Sequence, residues 1–172
     1  MSVEGRECVI IDTSVLINFL AVDRARLLLE HPHLQFFITD HVRSEITEHY
    51  PEQFSRLDAV LSDGSLQQLR IDREEELETF AALTVGRRLG PGECAAIAAA
   101  VYRRWAVAID DKAAIKLMSR SYPGTSVYTT RSIMVSLIKS AVLDVTEADA
   151  IKEDWEAHHR FRLPLKSFRE EL

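Results

Sequence analysis

Cys8-Val9-Ile10-Ile11-Asp12-Thr13-Ser14-Val15-Leu16-Ile17-Asn18-Phe19-Leu20 is the stretch whose reading decides the fold. Its first four residues are apolar, and three of them are β-branched, which predicts a strand buried on both faces. The run ends at a carboxylate. Thr13 and Ser14 offer helix-capping hydroxyls, and Val15, Leu16, Phe19 and Leu20 follow at helical spacing. An aspartate between a buried strand and a helix stands where open α/β sheets bind their ligands. Simple capping by Asp12 is the competing explanation of the same pattern.

Working outward, the chain alternates strand and helix signals. The first helix is predicted over roughly 13–30, before a break at His31-Pro32-His33. Gln35–Thr39 reads as a strand, and Asp40 opens a helix with Val42, Ile46 and His49 on one face and Glu45 at its border. Pro51 starts a further helix whose inner side carries Phe54, Leu57, Val60 and Leu61, and Asp63-Gly64 ends it. Ser65–Ile71 is a weaker strand, followed by a polar-faced helix over 72–83. Gly90-Pro91-Gly92 then breaks the chain ahead of Glu93-Cys94-Ala95-Ala96-Ile97-Ala98-Ala99-Ala100-Val101, an alanine-rich helix suited to close packing on a sheet. Trp105–Ile109 is a second doubly buried strand, and it too stops at carboxylates, Asp110 and Asp111. A helix over 112–121, a strand over 126–129 and helices over 131–141 and 147–158 complete the pattern. Strands alternating with helices of this length predict a three-layer α/β/α fold with a mostly parallel central sheet. The 172 residues fit one domain over 1–172, with about 144–172 as a C-terminal helical extension.

Composition narrows the class. A hydrophobic fraction of 47% with 28% charged residues is that of a soluble globular protein. No apolar run is long enough to span a bilayer, and Met1-Ser2-Val3-Glu4-Gly5 lacks the features of a signal peptide. Cys8 and Cys94 lie in apolar runs as buried small hydrophobes, which fits a cytoplasmic setting. A net charge of −6 excludes coating of nucleic acid by bulk electrostatics, yet is compatible with an acidic site that recruits cations.

The chemistry lies in the acids. In a parallel sheet all carboxyl ends share one edge, so Asp12 and the Asp110/Asp111 pair converge across the sequence. Glu93 follows Pro91 in the first turn of its helix, where an acid also complements the helix dipole. Glu45 is the fourth candidate. Such carboxylates repel unless a cation lies between them, and oxygen ligands without His or Cys suit Mg²⁺ or Mn²⁺ rather than zinc. A metal-activated water attacking a phosphodiester is the reaction class that follows. Without a Ser–His–Asp order, a CxxC motif or a phosphate-binding Lys after the glycines, nucleophilic triads and P-loops are excluded. Thr129, Thr130 and Arg131 open a helix and are candidates to hold a phosphate. Arg103-Arg104-Trp105 is a candidate RNA contact, with cationic capping of the alanine-rich helix as its simpler explanation.

Val9-Ile10-Ile11-Asp12-Thr13-Ser14-Val15-Leu16, Ile38-Thr39 leading to Glu45, Leu89-Gly90-Pro91-Gly92-Glu93 and Val107-Ala108-Ile109-Asp110-Asp111-Lys112 together resemble a PIN domain. That is the ribonuclease fold of many prokaryotic toxin–antitoxin toxins of VapC type and of several RNA-processing nucleases. The resemblance covers roughly residues 7–143. It implies a metal-dependent endoribonuclease with Asp12, Glu45, Glu93 and Asp111 as catalytic acids. Asp12, Glu93, Asp111 and Asp110 are the metal ligands it implies, and Thr13, Ser14, Thr129 and Thr130 support them. Ile109 stands where the family commonly has a hydroxyl, which favours Asp111 and leaves Asp110 open. RNA is the substrate expected from the resemblance, and an antitoxin-like inhibitory protein, inserting an Arg or Lys into the crevice, is the expected partner. The chain beyond about Asp144 is longer than in the compact toxins and resembles the larger PIN-like proteins. Leu16, Phe19, Leu20 and Leu27–Leu29 are candidates for a homodimer face as well as for the core. Two other functions remain in view: a non-catalytic PIN-fold protein binding RNA or a partner protein, and a haloacid-dehalogenase-like phosphatase. The phosphatase ranks lower because Ser14 holds the place of its second acid.

Overall fold

The structure is a computed structural model that describes residues 2–3, 5–86 and 89–172. Met1 and Glu4, used above in reading the N-terminus, lie outside the described residues. The elements run β1 (Ser2–Val3), β2 (Arg6–Ile11), α1 (Thr13–Ala21), α2 (Arg26–Leu29), β3 (Leu34–Thr39), α3 (Asp40–His49), α4 (Pro51–Ser62) and β4 (Gln67–Leu69). They continue with α5 (Glu74–Val85), α6 (Pro91–Arg103), β5 (Ala106–Ala108), α7 (Lys112–Ser121), β6 (Val127–Tyr128), α8 (Thr130–Lys139), α9 (Val145–His158) and a 3-10 turn over Phe168–Glu171. The sheet order is β4-β3-β2-β5-β6. Every pairing along it is parallel, and β1 adds an antiparallel partner to β2.

Why the sheet carries helices on both faces is visible in the alternation of its central strands. Val9 and Ile11 of β2, Phe36 and Ile38 of β3, and Ala106 and Ala108 of β5 face one core, with Leu16, Phe19, Ile46, Leu57, Leu137 and Trp155. Cys8, Ile10, Phe37 and Val107 face the other, against Ala96, Ala99 and Ala100 of α6 and Met118 of α7. Small alanines let α6 lie close to the sheet. The result is the three-layer α/β/α arrangement that the alternating signals predict. Cys8 and Cys94 are both buried within it. Among the described residues, no helix is long and apolar enough to cross a membrane.

Three expectations need correction. The long first helix is two helices: Asp23 takes a left-handed conformation (φ 55°), and the amide of Arg24 donates back to Phe19 O at 2.8 Å. Arg56 from α4 then donates to the helix-end carbonyls of Leu20 and Ala21, so the stop is stabilised from outside the helix. His49 is exposed and its Nδ1 lies 3.1 Å from Glu45 O, because only Val42 and Ile46 of α3 are buried against the core. Leu16, Phe19 and Leu20 are fully buried and Leu27 and Leu28 nearly so, which assigns these five candidates for a homodimer face to the core and leaves only Leu29 half-buried.

The segment after Lys139 closes back onto the same core. Trp155 meets Phe19 edge to face at 6.0 Å between centroids and donates its indole N–H to Asn18 O at 2.6 Å. Asp149 accepts from Ser167 Oγ and from the Phe168 amide, and the Phe168 ring is fully buried.

One buried polar group links stability to pH. His31, 1% exposed, accepts the amides of His33 and Leu34 at Nδ1, which assigns the proton to Nε2 beside Ser136 Oγ at 3.0 Å. Burial, reinforced by His33, lowers its pKa from 6.5 to about 4. The unfolded chain therefore takes up the proton first, and stability is lost as pH falls from about 6.5 towards 4. After allowance for solvent screening, a loss of about 2 kcal/mol is expected. His31→Asn keeps an acceptor near the Nδ1 position and should flatten the fall in Tm over that range; an unchanged pH profile would assign the loss to other groups.

Candidate metal centre

Each parallel strand that feeds the site hands over to a helix through its terminal residue. Asp12 after β2 caps α1, accepting from the Val15 amide at 2.9 Å, and Thr39 of β3 caps α3 through the Val42 amide. Asp111 after β5 caps α7 through the Ala114 amide at 2.8 Å, and Thr129 after β6 caps α8. The sheet register brings these ends together. Ile11 pairs with Ala108, and the Asp12 amide donates to Ala108 O at 3.0 Å, which sets Asp12 beside the chain entering Asp110.

Asp12 is fully buried. Ser14 Oγ donates to both of its oxygens, at 2.8 and 3.1 Å. Burial pushes its pKa up to about 7; the Val15 and Ser14 bonds oppose that, and the charges of Asp110 and Glu93 add to it. Asp110 accepts from the Thr130 amide at 2.9 Å, from Thr130 Oγ1 at 2.6 Å and from Asn18 Nδ2 at 3.1 Å. Burial raises its pKa as well, against the pull of those donors. Glu93 accepts the Gly90 amide at 2.9 Å, and its pKa is raised by burial first and then by Asp111 and Glu45. Glu45, half-buried on α3, accepts the Thr13 hydroxyl at 2.6 Å.

The carboxylates thus form a chain of coupled charges: Asp110 with Asp12, Asp12 with Glu93, and Glu93 with Asp111 and Glu45. Among the described residues, no group of three or more His, Cys, Asp or Glu side chains stands ready as a metal cage. Hydrogen bonds from Ser14, Thr13, Thr130, Asn18 and Gly90 hold the acids instead. The donor set nevertheless fits a hard divalent cation. It is all oxygen, it is partly desolvated, and its mutual repulsion is what such a cation relieves.

Other expected contacts are engaged elsewhere. Thr130 is fully buried and committed to Asp110, while Arg131 forms a bidentate pair with Glu171. Arg103 pairs at 2.8 Å with buried Glu76 and lies over the Trp105 ring, which is the structural role of a helix-end cation.

Two residues of the site escaped the sequence reading. Asn18 bridges Asp110 and Thr130 from inside α1, at 3.1 Å to each. Its signal was an amide amid the apolar positions of a buried helix, where Asn is a poor helix former unless it has partners. Gly92 lets the start of α6 approach α3: a Cβ there would lie 2.2 Å from Glu45 Oε2 and 2.7 Å from Thr13 Oγ1.

With this geometry in hand, comparison with known proteins gives the class. A family model described as a PIN domain matches residues 8–163, and the chain belongs to that family. PIN domains are generally nucleases. Among solved structures, the VapBC2 complex of Rickettsia felis, bound to a DNA fragment from its promoter, is similar with a TM-score of 0.49 and 13% identity. That match covers 71% of this chain and 98% of that one. No curated protein matches the sequence significantly.

If desolvation of Asp12 is as costly as its raised pKa indicates, Asp12→Asn should be more stable than wild type in chelator at pH 7.5. A gain of about 1–3 kcal/mol is expected from thermal unfolding, since the amide can still cap α1. A loss would show that the carboxylate, with Ser14 and Val15, is a net stabiliser.

Proposed function

We propose that this PIN domain is a metal-dependent endoribonuclease that hydrolyses RNA phosphodiester bonds. The observation that carries the reading is the convergence of acids from α3, the start of α6 and the ends of β2 and β5 at one sheet edge. There, burial and mutual repulsion raise Asp12 to about 7 and Glu93 above its ordinary value. Mg²⁺ or Mn²⁺ would be held by Asp12, Glu93, Asp111 and Asp110. When bound, such an ion supplies a water of lowered pKa and charge neutralisation at the phosphoryl oxygens.

The remaining work falls to the chain's own side chains. Ser14 fixes the rotation of the Asp12 carboxylate, and Thr130 with Asn18 fixes that of Asp110. Asp111 is exposed, uses Oδ1 to cap α7 and acts on Glu93, whereas Asp110 is held by Thr130 and Asn18 and acts on Asp12. Thr13 orients Glu45, the acid that α3 brings to the site. RNA rather than DNA follows from the resemblance to the family's ribonucleases. The family match favours this chemistry over a phosphatase, and the filled acidic positions favour it over a binding-only role.

Cleavage of labelled structured and unstructured RNAs, with single-stranded DNA alongside, tests the reading in Mg²⁺, in Mn²⁺ and in chelator. Metal-dependent cutting of RNA is expected, reduced at least about 100-fold in Asp12→Asn and in Asp111→Asn. Activity shared by wild type and both variants would identify a contaminating nuclease and sink the proposal. Mn²⁺ should also raise the wild-type Tm by mass action, with most of that shift absent in Asp12→Asn.

Gly92→Ala separates the site from the fold. Alanine is favoured in a helix by about 1 kcal/mol, which offsets part of the cost of turning Glu45 and the buried Thr13 hydroxyl aside, so a net loss of stability of less than about 2 kcal/mol is expected. Detaching Glu45 from Thr13 should still cost about tenfold or more in cleavage rate. A larger loss of stability in parallel with the rate would make Gly92 a packing residue only.

A further inference from the structure

Helix α7 begins at Asp111, on the rim of the acidic site, and breaks two local rules. Lys112 stands in its first turn, against the helix dipole. Lys112, Lys116 and Arg120 then follow at four-residue intervals on one exposed face, so like charges lie one turn apart with no acid on the helix to offset them. None of the three takes part in an ion pair among the described residues. Cations without an ion pair among the described residues occur elsewhere on the surface, at Arg26, Arg70 and Arg104 for example, but α7 aligns three of them on one helix face next to Asp111 in a chain of net charge −6. Sites where a sequence departs from local stability rules are where function is to be sought.

Beside this row runs an open groove of about 490 Å³, with Leu89, Ala113 and Leu117 as apolar lining and Lys116 and Arg120 as its charged lining. Leu89 leads directly into Gly90, whose amide holds Glu93. The groove therefore adjoins the segment that leads into Glu93 and runs along the later turns of α7. Successive cations rise about 6 Å along the helix axis, a step on the scale of successive phosphates in an extended single strand.

We infer that the α7 face is the track for the RNA strand flanking the scissile phosphate. Lys112, Lys116 and Arg120 take successive backbone phosphates, and the Leu89–Leu117 floor takes the face of a base. The inference rests on the endoribonuclease reading for its substrate; charge complementarity and the apolar floor supply the surface. Phosphate contacts of this kind position a strand without reading its sequence.

Binding of a fluorescein-labelled oligouridine to the full chain, measured in chelator by fluorescence polarisation, tests it. The charge-reversed double variant K116E/R120E should bind at least about tenfold more weakly, and the slope of log K against log salt should fall by about 1.4 for two lost contacts. K139E/K166E changes the net charge equally on exposed positions away from α7 and should bind within about twofold of wild type. Equal weakening in both double variants, or unaltered binding in K116E/R120E, overturns the track. So does groove-dependent capture of oligoglutamate without oligouridine, which would assign the face to an acidic protein segment. Cleavage measured in parallel keeps the two proposals apart. RNA cut equally well by K116E/R120E sinks the track alone. Groove-dependent binding by a wild type that never cuts sinks the nuclease alone.

Discussion

Asp12 can ionise only in a place where charge is costly. Its strand is buried on both faces, its side chain has no solvent exposure, and two further acids bear on it. Most of the polar architecture around it answers that constraint. Ser14 and the Val15 amide bond the carboxylate, while Asn18 and Thr130 hold its neighbour Asp110. A buried anion can persist in this way only while donors surround it. The same desolvation that penalises these carboxylates would strengthen their hold on any cation that entered the crevice.

Capping and function are usually weighed as rivals for an acid at a strand-to-helix junction. Here one geometry contains both. Asp12, Asp111 and Glu93 each satisfy an amide at the start of a helix, and each lies in the coupled set of acids. Because a carboxylate has two oxygens and several lone pairs, accepting one backbone N–H leaves it further acceptor capacity. Positioning by the helix start also fixes the side chain without a bulky support.

Much of this was legible in the sequence, because the governing signals are local. The apolar runs at 8–11 and 105–109, the carboxylates that end them and the alanine-rich helix gave the layers and the sheet edge. The break at Asp23 was not legible, since it is a non-glycine left-handed turn stabilised by Arg56 from another helix. The burial of Leu16, Phe19 and Leu20 was ambiguous because helical periodicity does not say which partner covers a face. Asn18 and Gly92 escaped for a similar reason. One acts through a partner 92 residues away, and the other acts by what it lacks, a Cβ that would strike Glu45.

The hydrogen bond from Trp155 to the backbone of Asn18 spans 137 residues of chain. Asn18 is also the residue that restrains Asp110, so the last helix and the acidic crevice share a support. Contacts this remote in sequence form late, after the cost of closing a long loop has been met. As the chain leaves the ribosome amino end first, Asp12, Glu45, Glu93 and both aspartates at 110 and 111 emerge before the tryptophan that braces them. A nascent or prematurely terminated chain therefore holds all the acids yet lacks the brace, and the completed crevice belongs to the finished polypeptide.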